Sequence, residues 1–95
     1  IPSEKRARWI AYRDKLIKAI HDAGGRIMAG SDTPEFLWLY GFTMHRELKA
    51  LKDAGLSNYA ALEAATKNPA EYLNDRAGGT IERGKRADLI LLDAN

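Results

Sequence analysis

Asp32 is the residue of this chain best placed to do chemistry. It follows the short, largely apolar run Arg26-Ile27-Met28-Ala29-Gly30, which Gly24-Gly25 precedes. α/β enzymes place catalytic carboxylates just past the C-terminal ends of buried parallel strands, where the strand end is rigid and the loops form a crevice. A carboxylate there can ligate a divalent cation or accept a proton from a cation-bound water. The competing role is a turn, since Ser31 and Asp32 before Pro34 are well suited to bonding their own backbone. The two histidines carry less. His21 falls at the end of a first helix, where the helix dipole favours an imidazolium, and a structural place fits it. His45 falls near the start of a second helix, where the dipole disfavours the cation; a neutral imidazole there either reaches a crevice at the strand ends or lies on the surface. Spacing makes no metal motif of the three, and the chain has no His-x-His or His-Glu-x-x-His pair.

The elements that must position these residues follow from periodicity. Trp9, Tyr12, Leu16 and Ile20, with Ile10 and Ile17 beside them, recur at helical spacing and predict a helix over residues 3–23, with Ser3 as N-cap and Gly24-Gly25 as the stop. Residues 26–30 are too short for a helix and lack alternation. They read as a strand covered on both faces, as in a parallel sheet. Helix, glycine link and buried strand form the second half of a βαβ unit. Residues 35–41 hold Phe36, Trp38 and Tyr40 and read as a loop or a short helical turn whose aromatics pack on a neighbour or line a pocket.

Met44, Leu48 and Leu51 give residues 43–54 an apolar stripe, and Gly55 suits the left-handed position past that helix, with Leu56 folding back. Ser57 caps a third helix over 58–67. Asn68 and Pro69 read as the cap and first residue of a fourth. Beyond Gly78-Gly79, residues 80–81 and 88–93 read as two short strands joined by the polar turn 82–85.

Composition excludes several classes. The 95 residues carry 15 Lys/Arg against 13 Asp/Glu, a formal charge of +2, too balanced to indicate a nucleic-acid or membrane partner. The first 26 residues hold seven basic side chains against three acidic ones, read as the wet face of the first helix. The absence of cysteine removes disulfides and Cys-based zinc sites. No apolar run is long enough to span a bilayer. The N-terminal stretch lacks the apolar centre of a secretory signal, so a cytoplasmic location is expected. The pair formed by helices two and three has the outline of a helix-turn-helix, but one cation and one acid on the second of them is a poor DNA footprint.

Six runs in order then resemble one family. They are Ala29-Gly30-Ser31-Asp32-Thr33-Pro34; His45-Arg46-Glu47-Leu48; Ala54-Gly55-Leu56-Ser57; Ala61-Leu62-Glu63-Ala64-Ala65-Thr66; Asn68-Pro69-Ala70; and Gly79-Thr80-Ile81-Glu82-Arg83-Gly84-Lys85 with Ala87-Asp88-Leu89. Together they look like the C-terminal part of the amidohydrolase superfamily, nearest its imidazolonepropionase-like and prolidase-like hydrolases.

The resemblance implies an α/β fold: the last helix-strand-helix units of a (β/α)8 TIM barrel plus extra helices over residues 1–77, and over 78–95 a segment returning to a small β-sandwich. It implies a hydrolase acting on amide or other C–N bonds, of cyclic-amide or dipeptide-like substrates, with one or two divalent metal ions, zinc being the expected one. Asp32 matches the aspartate after the eighth barrel strand, a metal ligand or neighbour that shuttles the proton of the attacking hydroxide. His45 matches a histidine in the following loop or helix and is carried over as a substrate contact. The other metal ligands of the family match nothing in these residues, so the chain alone is expected to be inactive. Its expected partners are a small-molecule substrate and the remainder of the barrel, or a second copy through exposed apolar faces. The alternative is a small helical interaction module that docks a partner through Trp9, Trp38 and the aromatic loop.

Overall fold

A computed structural model describes residues 2–33 and 39–94. Pro34, Phe36 and Trp38, and with them most of the aromatic stretch, lie outside the described residues. The elements run α1 (Ser3–Asp22), α2 (Phe42–Asp53), α3 (Asn58–Ala65) and α4 (Lys67–Tyr72). None of these helices is long and apolar enough to cross a membrane.

Three of the helix starts differ from the sequence reading by one or two residues. Ser3 lies inside α1 rather than capping it. Pro2, with φ −51° and ψ 139°, takes the cap position, and its carbonyl accepts the first helical bond from Arg6 N. α2 begins at Phe42 after Gly41, whose φ of 80° reverses the chain. α4 begins at Lys67, with Thr66 as the flanking residue. Pro69 is tolerated in its first turn because those N–H groups have no helical partner in any case. Asn68 is therefore not the cap of α4, and its amide is used elsewhere. Ser57 does cap α3, accepting from Ala60 N at 3.0 Å.

The turn after α2 locks the core. Leu56 N donates to Leu51 O at 3.2 Å and Gly55 N to Lys52 O at 2.9 Å, with Gly55 at φ 111°. These two bonds satisfy carbonyls at the end of α2 and bring Leu56 back over Leu51. Leu51, Leu56, Ala61 and Ala64 form the buried cluster, with Ile17, Ile27, Ala29, Leu48 and Ala60 packed against it. α1, α2, α3 and the 26–30 segment therefore all meet at one small core.

Much apolar surface stays outside it. No residue of α1 is buried, and Trp9, Tyr12, Leu16 and Ile20 of its predicted apolar face are exposed. The Trp9 and Tyr12 rings lie 6.2 Å apart on that face. Leu89, Ile90, Leu91 and Leu92 are exposed at the other end of the chain. An open cleft of about 720 Å³ runs between α3, α4 and the C-terminal segment, lined by Leu62, Pro69, Leu73, Ile81, Leu89 and Leu92 among others.

Among the described residues no strand forms at 26–30, 80–81 or 88–93. A strand exists through bonds to a neighbouring strand, whereas the bonds of residues 26–30 go to helices. Their exposure also alternates: Ile27 and Ala29 are half-buried on the core, while Arg26, Met28 and Gly30 face out. One face of this segment is covered here, not the two that its unbroken apolar run predicts.

Beyond α4 the chain is held by polar contacts. Arg86 pairs with Asp75 at 2.7 Å and with Asp88 at 3.0 Å, and Arg86 N donates to Ala77 O at 2.8 Å. The Arg86 guanidinium and the Ala77 N–H hold the Asp75 carboxyl below its usual range. Lys85 and Thr80 do the same for Glu82. Gly79, at φ 87°, passes so close to α4 that an added Cβ would stand 2.6 Å from the Ala70 Cβ, so only glycine fits.

Candidate functional site

Residues 26–30 are registered against α3 and α4 by three contacts that run in opposite chain directions. Arg26 pairs with Glu71. Asn68 Nδ2 donates to Ile27 O at 2.8 Å. Ala29 N donates to Ala64 O at 2.7 Å. As the segment advances from 26 to 29, its partners step back from 71 to 64. On the α2 side, Gly30 N approaches Glu47 Oε1 at 3.5 Å, the long limit of a hydrogen bond. The chain then leaves its support and reaches Asp32.

Asp32 is exposed and sits at φ 54°, in the left-handed region. One other non-glycine residue among those described shares this geometry, Asn74 at φ 57°. Asn74 is explained by its place after α4: its N–H donates to Glu71 O, and the next N–H, of Asp75, donates to Ala70 O. Asp32 ends no helix. Aspartate tolerates the conformation better than most residues, and such positions concentrate at functional sites. The flanking hydroxyls of Ser31 and Thr33 are bonded to each other at 2.8 Å, which closes a small polar bracket around it. The turn role open to Asp32 would take a backbone N–H just beyond Pro34, which has none of its own, outside the described residues.

His45 is exposed in the first turn of α2, two residues before Glu47. His21 is half-buried in the last turn of α1, as its place in the sequence predicts. Among the described residues no three His, Cys, Asp or Glu side chains come together as a metal site. Asp32 is an exposed carboxylate with no second ligand cluster around it among the described residues.

Sequence reasoning missed two residues here. Asn68 was indistinguishable from a helix cap, since an asparagine before proline satisfies that reading fully. Glu47 stood within a family-like run without a role of its own. Only the fold shows that both point back to residues 27–30.

Comparison with known proteins adds the relationship. The model of the amidohydrolase family matches residues 10–95. An adenine deaminase of Ligilactobacillus salivarius is 32% identical over 84 residues, which cover 84% of this chain and 14% of that protein. The chain thus spans about 14% of the length of this curated relative. No solved structure matches. With an aspartate delivered at the end of a helix-registered apolar segment, inside a stretch matched by the family model from residue 10 to residue 95, the chain belongs to the amidohydrolase family.

Proposed function

We propose that the chain is the C-terminal part of a metal-dependent amidohydrolase that cleaves C–N bonds, with Asp32 moving the proton. The observation that carries this is the position of Asp32: a left-handed, outward carboxylate directly after a segment pinned to the core. In this reading α1 is the seventh barrel helix, residues 26–30 the eighth strand and α2 the eighth helix, and residues 78–95 return to a β-sandwich. The uncovered apolar faces of α1 and of residues 89–92 are surface that such neighbours would cover.

Hydrolysis needs a proton carried from water to nitrogen. Water adds to the carbonyl or amidine carbon while the Asp32 carboxylate takes one of its protons. The C–N bond then breaks as that proton passes to the leaving nitrogen, giving a free amine or ammonia. His45, in the first turn of α2, is the proposed substrate contact. A divalent cation, zinc by preference, belongs to the family and would supply Lewis acidity. The described residues do not fit it by themselves, since a catalytic zinc typically takes about three protein ligands and no three His, Cys, Asp or Glu side chains come together among them.

The substrate class follows two leads. The resemblance in the sequence points to cyclic amides and dipeptides, as in the imidazolonepropionase-like and prolidase-like hydrolases. The adenine deaminase relative points to an amidine nitrogen on a purine. All three are C–N bonds at an electrophilic carbon. The test is a panel of adenine, a cyclic amide and an Xaa-Pro dipeptide presented to the complete enzyme, with released ammonia, amine or carboxylate measured. Turnover of at least one is expected. No C–N cleavage of any member, in enzyme of full metal content, would overturn the reading.

A further inference from the structure

We propose that Asn68 is a positioning residue for Asp32, acting through the Ile27 carbonyl; this rests on the role for Asp32 proposed above. The Asn68 amide bonds Ile27 O at 2.8 Å across 41 residues of sequence. It is the middle contact of the three that set the register of residues 26–29 against α3 and α4. Arg26–Glu71 lies on one side of it, and Ala29 N to Ala64 O on the other. Asp32 lies three residues past the last of these contacts, so sliding this register moves the carboxylate.

The three contacts are not equivalent. Arg26 and Glu71 are an exposed ion pair, with side chains 65% and 40% accessible, and such pairs hold geometry weakly. The Ala29 N–H has one proton, so its bond to Ala64 and a bond to a neighbouring strand are alternatives. A carbonyl oxygen has two lone pairs. Ile27 O can therefore accept a strand N–H and the Asn68 amide together. The Asn68 contact is thus compatible with pairing of residues 26–30 within a sheet, whereas the Ala29 bond to Ala64 is not. The Asn68 side chain is half-buried.

The experiment is a double-mutant cycle in the complete enzyme, read by steady-state kinetics and by amide hydrogen exchange. Asn68→Ala should lower kcat by about 10- to 100-fold through misplacement of the carboxylate, with KM little changed. Asn68→Gln, which keeps an amide donor, should recover part of that loss. In an Asp32→Asn background, Asn68→Ala should cost nothing further, because the group it positions has lost its function. Exchange at residues 29–33 should quicken in Asn68→Ala while that of α2 stays as in the parent. Where Asn68→Ala does not fold, Asn68→Asp serves the same arms, since its carboxylate cannot donate to Ile27 O. Parent-like kcat in Asn68→Ala, losses that multiply in the double variant, or unchanged exchange at 29–33 would each overturn the proposal. Normal turnover by Asp32→Asn alone would instead sink the hydrolytic role of Asp32, and the exchange arm then decides the Asn68 contact by itself.

Discussion

Asp32→Asn in the complete enzyme is expected to lower turnover by about 10²- to 10⁴-fold, the usual worth of a positioned general base. The substitution isolates chemistry from shape. Asparagine has nearly the same volume and accepts the left-handed backbone at φ 54° as readily as aspartate. The Ser31–Thr33 hydroxyl pair beside it is left in place. What disappears is an oxygen basic enough to hold a proton between attack and departure. The measurement is kcat on whichever C–N substrate turns over, with circular dichroism confirming the same helix content. Turnover near that of the parent would show that Asp32 is a turn residue, as its position before Pro34 also permits.

Leu51→Ala is expected to remove most of the stability of the 95-residue chain. Leu51 is 4% exposed and stands where α2 ends, under Leu56 and beside Ala61 and Ala64. Truncating a buried leucine costs about 2–5 kcal/mol, part transfer and part cavity. The rest of the buried cluster is Leu56 and two alanines, so little remains to collapse into the space. At about 0.05–0.15 kcal/mol per residue a chain of this length has a net stability of about 5–14 kcal/mol, and so small a buried cluster places this one at the low end. Urea or thermal unfolding should therefore show a transition shifted far down or lost. Leu91→Ala is the control: at 98% exposure it should change stability by no more than about 0.5 kcal/mol. Equal effects of the two substitutions would mean that the core lies elsewhere.

The helices were legible because their signals are local. The 3.6-residue recurrence of Trp9, Tyr12, Leu16 and Ile20, the Ser57 cap and the Gly55 turn each act within a few residues. The described structure carries all three, with the stripe of α1 left uncovered. Helix starts were less legible, because Ser3 and Asn68 each satisfy a capping pattern that a neighbouring residue takes over. The 26–30 segment was the hardest part. Its apolar run carries no information about which partner will take its N–H and C=O groups, and here α3 and α4 take those at 27 and 29. Asp32 was found from its place after that run. The Asn68 tether joins residues 41 apart in sequence, beyond the reach of any local pattern.

In the proposed reading Asp32 is one member of a site that the rest of a longer enzyme completes. Calorimetric titration of the chain with zinc, alongside the complete enzyme, tests it most directly. No tight binding and no C–N hydrolysis are expected of the chain alone, and metal retained through dialysis is expected of the complete enzyme. Tight, stoichiometric zinc binding by the isolated chain would contradict it.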